Sequence, residues 1–297
     1  MLADLHLHTS ASDGTLSPSE LVRRYFDLGC EIMAITDHDT VDGISEGESE
    51  AKALGVVLIP GVEFSCTDGG VDCHLLGLGV DYHSSAITDC LSQSRALRME
   101  KLEDRLIYLH SRFGITLLDS DVAALRAMDS AGRLHMAQAI VRAGYSPTVE
   151  SALHAYLLGK DLPERAMAAE ECVSAVLLSG GVPVLAHPLG GEGEDRCSLE
   201  DAEKLIRRLM GYGLAGMECY YSRYEYSVSL GLCALASRLG LLVSGGSDYH
   251  GANKTVKPMQ LSADGFMPDS MALSVLSAEP LSRLCPTAKK PIFRAKI

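Results

Sequence analysis

Ala3-Asp4-Leu5-His6-Leu7-His8-Thr9 is a short apolar–polar alternation that ends on two histidines one residue apart. In an extended chain, residues two apart face the same side, so His6 and His8 would project together from the end of a first strand, Ala3–Leu7. Asp13 follows in a Ser-Asp-Gly loop. Ser17-Pro18-Ser19-Glu20 then reads as a helix start, with Ser17 as N-cap, Pro18 in the first helical position and Glu20 closing a capping box. Leu21, Val22, Tyr25 and Phe26 supply the apolar face, and Gly29 ends the helix. The pattern predicts a second strand over Ile32–Thr36, a helix from Asp42 to Leu54, and two more strands, Val56–Pro60 and His74–Val80. Strand–helix–strand alternation implies an α/β protein with a parallel sheet, open or closed into a barrel.

Helical periodicity replaces the alternation from Thr88 to Leu158, where Met99, Leu102, Leu106, Leu109 and Phe113 recur at three- and four-residue steps. Residues 88–165 read as a helical insertion capping the substrate site. The alternation then resumes: a helix over Ala168–Ser179, a strand over Val182–Ala186, a helix from Ser198 to Met210, a strand over Ala215–Cys219, a helix over Tyr224–Leu239 and a strand over Leu241–Ser244. Residues 1–87 and 166–285 would form the barrel, and residues 286–297, with Lys289, Lys290 and Arg294, a loosely held tail.

The bulk properties fit this frame. A chain of 297 residues, 47% hydrophobic and 22% charged, can build one barrel-sized domain with an insertion, which excludes disorder as its main state. A net charge of −13 does not attract long nucleic acid, although a local basic pocket for one or two phosphates remains possible. Nine cysteines without a C-x-x-C pair read as free thiols of a reducing compartment. Met1–Ser10 shows no basic region followed by an apolar run, and no apolar stretch approaches the length of a membrane span. The expectation is a soluble, cytoplasmic protein.

Histidines and carboxylates gather where strands end. His6 and His8 close the first strand; Asp37 and His38 follow the second; Glu63 lies just past the third; His74 begins the fourth. His187 follows Val182–Ala186, and Asp248 and His250 follow Leu241–Ser244. That edge of an α/β sheet is where active sites are built. One histidine at a strand end is usually a structural hydrogen-bonder, but the same feature at six strand ends is hard to assign to structure. Imidazoles with carboxylates suit Zn²⁺, Mn²⁺ or Fe²⁺. Leaving Asp37 aside, His6, His8, Asp13, His38, Glu63, His74, His187, Asp248 and His250 exceed the four ligands of one structural zinc, which points to a multinuclear site.

In order along the chain, Asp4–Thr9 (DLHLHT), Ser12–Gly14 (SDG), Thr36–Asp39 (TDHD), Gly61–Glu63 (GVE), Ala186–Pro188 (AHP) and Ser247–His250 (SDYH) resemble the successive motifs of the polymerase-and-histidinol-phosphatase (PHP) family. The resemblance implies a distorted (β/α)7 barrel carrying a helical insertion, with three divalent metal ions (Mn, Zn or Fe) at the C-terminal edge. It implies that His6, His8, Glu63 and Asp248 hold one ion, that Glu63 bridges to a second held by His74 and His187, and that Asp13, His38 and His250 hold the third. Asp13, Asp37, His187 and His250 would serve the catalytic step, Asp37 from behind, by orienting a ligand imidazole. The implied reaction is hydrolysis of a phosphate monoester by hydroxide shared between two ions.

Gly132–His135 (GRLH) resembles a segment of the branch that holds nucleoside 3′,5′-bisphosphate phosphatases and enzymes trimming short RNA from the 5′ end. There it contacts substrate phosphate, which makes Arg133 and His135 the implied substrate contacts; the planar guanidinium fork suits that task. The implied partner is a small phosphorylated substrate, a nucleotide or a short RNA 5′ end, with no membrane and no long DNA. Gly159–Met167 departs from the family pattern and leaves the nucleoside side of the pocket unassigned, with Lys160 and Arg165 as further cations within reach. Tyr221 and Arg223 are pocket candidates whose plainer reading is surface, and His83, His110 and His154 read as structural. Alternatives within the chemistry are a cyclic phosphodiester, a sugar phosphate or histidinol phosphate; outside it stands a non-catalytic metal-stabilised module.

Overall fold

The computed structural model describes residues 1–128, 131–157, 165–191 and 196–285. Lys160 and the tail after Pro286 lie outside the described residues. The chain runs through β1 (Leu2–Leu7), α1 (Pro18–Asp27), β2 (Cys30–Ile35), α2 (Ile44–Leu54), β3 (Val57–Asp68), β4 (Val71–Leu78) and α3 (Ser85–Phe113). It continues through α4 (Asp119–Ala127), α5 (Arg133–Arg142), α6 (Val149–Ala152), β5 (Met167–Ala168), α7 (Ala169–Leu178) and β6 (Val182–Leu185). Last come α8 (Leu199–Tyr212), β7 (Gly216–Tyr221), α9 (Tyr226–Leu239), β8 (Leu242–Gly246) and α10 (Leu281–Leu284). The helix start at Ser17 forms as the sequence dictates: Ser17 Oγ accepts from the Glu20 amide, and the Glu20 carboxylate accepts from the Ser17 amide at 2.9 Å.

Seven strands follow one another as β1-β2-β3-β4-β6-β7-β8, and the short β5 adds to β3. The sheet nearly closes into a barrel, because β8 returns to β1: the His8 amide donates to Tyr249 O at 3.1 Å, and the Asp248 amide to His6 O at 2.9 Å. A Cβ on Gly246 would lie 2.3 Å from His6 Cβ, so only glycine lets the end of β8 approach the end of β1 this closely. Leu5, Phe64, Leu75, Val184 and Met217 belong to the main core beneath the sheet.

Two departures from the expected pattern bear on the site. β3 does not stop at Pro60 but runs to Asp68, so Glu63 lies inside it rather than past its end. β4 is antiparallel to both neighbours, unlike the parallel sheet expected from the alternation. The cause is the Gly69–Gly70 turn, both residues at positive φ (58° and 81°): two residues can join strands only as a hairpin, whereas a parallel return needs a crossover. His74 therefore sits in mid-strand opposite Ser65.

α3 is one helix of 29 residues that serves two cores. Its first turns bury Ile87, Cys90 and Leu91 in the main core, while Leu102 and Leu109 pack with Leu125, Met136, Ile140 and Leu157 in a separate cluster. Phe113, expected on the apolar face, is 40% exposed. All nine cysteines are free thiols. No helix among the described residues is long and apolar enough to cross a membrane.

Candidate metal centre

Strand register brings the motifs together. The backbone after β2 keeps pairing with β3, with the Glu63 amide donating to Asp37 O at 3.1 Å and the Asp39 amide to Glu63 O at 2.9 Å, so His38 lies beside Glu63. Glu63 is the hub. Its Oε2 lies 3.1 Å from His6 Nε2, 3.0 Å from His8 Nε2 and 3.1 Å from His38 Nδ1; its Oε1 lies 2.9 Å from His74 Nδ1 and 3.2 Å from His187 Nε2. Asp248 Oδ1 lies 3.6 Å from His6 Nε2 and 3.3 Å from His8 Nε2. Asp13 Oδ1 is 3.1 Å from His250 Nε2.

These atoms fall into three groups of ligand size: His6, His8, Glu63 and Asp248; His8, Asp13, His38 and His250; and His38, Glu63 and His74. All nine residues expected as ligands lie in this one region. The first group has the composition the resemblance implies. In the third group His38 completes the set around Glu63 and His74, while His187 approaches Glu63 from the side.

The donor set fits divalent cations on its own chemistry. Glu63 Oε2, His8 Nδ1, His38 Nδ1 and His250 Nε2 are buried and lack a hydrogen-bond partner, which in a folded interior calls for an ion or water. Burial would raise the carboxyl pKa of Glu63, yet His38, His6 and His74 hold it well below the ordinary value. Asp13 is held down likewise, against burial, by His250 and His38. Burial pushes His38 well below its ordinary value and lowers His250 as well, against the pull of Glu63 and Asp13. For His8, burial lowers the imidazole but Asp248 and Glu63 reverse this and lift it to about 9. The negative field that draws a proton there also attracts a cation.

A second layer fixes the ligands. Glu218 lies with Oε1 3.1 Å from His6 Nδ1 and accepts from the His187 amide at 2.8 Å through Oε2; a proton on His6 Nδ1 leaves its Nε2 lone pair facing the cluster. Tyr221 donates to Asp248 Oδ2 at 2.9 Å and Lys254 reaches the same oxygen at 2.8 Å. His250 Nδ1 meets Asp248 O at 2.9 Å, which leaves Nε2 toward Asp13. Asp39, His187 and Asp248 all hold positive φ (48°, 24° and 56°), strained backbone for residues with side chains and common where geometry is set by function.

Sequence reasoning missed Glu218 and Lys254. Glu218 had a signal, a lone carboxylate in the apolar strand Gly216–Tyr221. Lys254, in an irregular segment, had none. Asp37 corrects an expectation: among the described residues it meets no imidazole and instead accepts from the Thr9 amide (2.7 Å), Thr9 Oγ1 (2.6 Å) and Ser12 Oγ (2.5 Å), fixing the turn that carries Asp13. Arg165 pairs with Asp104 at 2.6 Å and Glu100 at 2.5 Å, away from the cluster. His135 Nδ1 accepts from the Gly132 amide at 3.1 Å, and its ring lines a cavity of about 350 Å³ with Ser10, Ser12, Gly14 and Met128; Arg133, in the first turn of α5, is exposed.

A barrel whose rim converges imidazoles and carboxylates around one glutamate, with a cavity lined by the residues on either side of Asp13, is the architecture of a metal-dependent phosphoesterase. The profile of the PHP domain matches residues 4–170. The chain belongs to the PHP family and is a hydrolase acting on phosphoric esters. It is 33% identical over 256 residues to a 5′-3′ exoribonuclease of Haemophilus influenzae, covering 83% of this chain and 89% of that one. It is 28% identical over 250 residues to a 3′,5′-nucleoside bisphosphate phosphatase of Chromobacterium violaceum, covering 83% and 86%. Among solved structures, a protein of Bifidobacterium adolescentis described as a metal-dependent phosphoesterase superposes with TM-score 0.77 and 29% identity, over 93% of this chain and 95% of that one.

Proposed function

We propose that this chain removes a phosphate monoester from a small nucleotide, a nucleoside 3′,5′-bisphosphate or the 5′ end of short RNA. The observation that carries this reading is that His135 of GRLH lines a cavity with Ser10, Ser12 and Gly14, the loop residues that flank Asp13. The names of the two relatives point the same way. The ligand atoms are enough for three ions, of manganese, zinc or iron, with His8, His38 and Glu63 each shared between two groups. Such ions supply acidified water at neutral pH and offset charge on the phosphoryl oxygens.

The chain's own residues do the rest. Glu218 and Asp248 O select the tautomers of His6 and His250, and Asp37 holds the Thr9–Ser12 turn so that Asp13 faces His250. Arg133 on α5 adds charge for a phosphate entering from the cap, and residues 88–165 act as that cap. As phosphorus takes the water oxygen, the ester oxygen leaves and must gain a proton; His187 and His250 are the imidazoles at hand.

The test is metal content together with phosphate release, before and after chelation, over a panel: nucleoside 3′,5′-bisphosphate, 5′-phosphorylated oligoribonucleotide, cyclic phosphodiester, histidinol phosphate and an aryl phosphate. The expected result is fastest turnover on one of the first two, lost with chelator and restored by Mn²⁺. Activity confined to histidinol phosphate would overturn the substrate assignment. Bound metal with no turnover on any ester would make the chain a structural module.

A further inference from the structure

Arg98, Lys101 and Arg105 follow one face of α3 at steps of three and four residues. They differ in what meets them. The Arg98 guanidinium is neutralised by buried Asp39, with Nε 2.6 Å from Oδ2, and donates to Ser65 Oγ at 2.8 Å. Asp39 follows ligand His38, and Ser65 pairs across the hairpin with His74, so Arg98 stands at the edge of the metal centre. Lys101 and Arg105 have no such partner. Neither makes a hydrogen bond or ion pair with a carboxylate among the described residues, and Arg105 Nε is a buried donor without an acceptor.

Their neighbours are other cations. Burial brings Lys101 down to about 8, and Arg105, Arg98 and Arg133 push the same way, opposed by Asp72. Burial and the charges of Arg133 and Arg98 likewise lower Arg105 to about 10, again against Asp72 alone. Arg133 comes from α5, whose Met136 and Ile140 pack with Leu102 and Leu109 of α3, so its charge falls in the same region as theirs. Asp72 stands two residues before His74 on β4 and so faces the same side of that strand. Along the helix axis, Lys101 and Arg105 lie about 4.5 and 10.5 Å from Arg98, a span of nucleotide size. Half-buried Lys101 and Arg105 repel one another and the exposed Arg133, and an anionic ligand between them would relieve that repulsion.

We propose that Lys101 and Arg105, with Arg133, form the seat of a second, non-reacting phosphate, held there while another phosphate of the same substrate is hydrolysed at the imidazole–carboxylate cluster. The inference rests on the phosphatase reading above and narrows it to substrates with two phosphates. The guanidiniums offer planar, paired donors and the ammonium a point charge, the usual composition of a phosphate seat.

The test uses the full chain and the double variant Lys101→Gln/Arg105→Gln. First, kcat and KM are measured for adenosine 3′,5′-bisphosphate and for p-nitrophenyl phosphate. The expected result is a KM for the bisphosphate raised tenfold or more, with both constants for the aryl phosphate within twofold of wild type. Second, calorimetry measures binding of adenosine 3′,5′-bisphosphate to both proteins in EDTA, where hydrolysis does not interfere. The wild type should bind at least tenfold more tightly. The melting temperature of the double variant should hold or rise, because cation repulsion is relieved; a fall, with equal losses on both substrates, would make these residues structural and sink the proposal. Unchanged KM and binding would sink it too. A chain that hydrolyses no ester but binds the bisphosphate through Lys101 and Arg105 would refute the phosphatase reading and leave the seat standing.

Discussion

At the barrel rim, Glu63 has five imidazoles within 3.2 Å, and behind them Glu218, Tyr221 and Lys254 hold the ligands in turn. In the cap, Lys101 and Arg105 have no carboxylate bonded to them among the described residues. The rim gathers buried carboxylates and imidazoles that face one another, whereas the second half of α3 gathers half-buried cations that face other cations. The difference separates two tasks. A metal centre must be rigid before substrate arrives, so two of its second-layer groups, Glu218 and Tyr221, stand on the strand β7. A substrate seat gains affinity from charge that stays unpaired until the ligand pairs it.

Glu63→Gln tests the rim most severely. It removes the charge of the hub, and turnover should fall by about 10³-fold, the upper range for loss of one electrostatic group, with metal content dropping in parallel by elemental analysis. Wild-type metal content and rate would remove Glu63 from the centre. Arg98→Ala tests the joint between the two regions. It strands the buried Asp39 carboxylate and should cost about 3 kcal/mol in urea unfolding; a loss below 1 kcal/mol would mean the pair adds nothing to the joint. Glu218→Gln keeps the size but weakens the hold on His6, so metal affinity or kcat should fall about 10- to 100-fold, and an unchanged metal Kd would argue that Glu218 does not set the His6 tautomer.

The smallest effect concerns pH. Lys101 in the fold titrates at about 8, below its ordinary 10.5, with Arg98 and Arg105 on its own helix, Arg133 on α5 and Asp72 on β4 as the charges facing it. It is cationic below that pH and neutral above it. The ratio of kcat/KM for the bisphosphate to that for an aryl phosphate should therefore be flat below pH 8 and fall several-fold above it. A ratio that stays level to pH 10 would detach Lys101 from the second phosphate.

Much of the rim was legible because strand periodicity and strand-end histidines are local signals: His6, His8, Asp37, His38, Asp248 and His250 all stand directly after apolar runs. The parallel expectation fails at β4 because Gly69–Gly70 makes a hairpin turn, and β3 outruns the strand expected over Val56–Pro60 because a proline resembles a strand end. Glu218 was overlooked since a carboxylate inside a strand has meaning only once its neighbour in space, His6, is known. The cap resisted for a deeper reason. Lys101 and Arg105 are ordinary residues for a solvated helix face, and nothing in their spacing tells that Arg133, 28 residues past Arg105, comes back to stand beside them.

The continuity of α3 has one more consequence. Because a single rod threads both hydrophobic clusters, the angular position of every side chain in its second half is dictated by its first half. Each residue turns the helix by about 100°, so one insertion between Arg98 and Lys101 would swing Lys101 and Arg105 a quarter-turn or more away while leaving the Arg98–Asp39 pair in place. Exchanging the specificity of this chain with a relative would then demand a splice that preserves helical phase, since the helix acts as a gear between the place where metal is held and the place where the substrate is chosen.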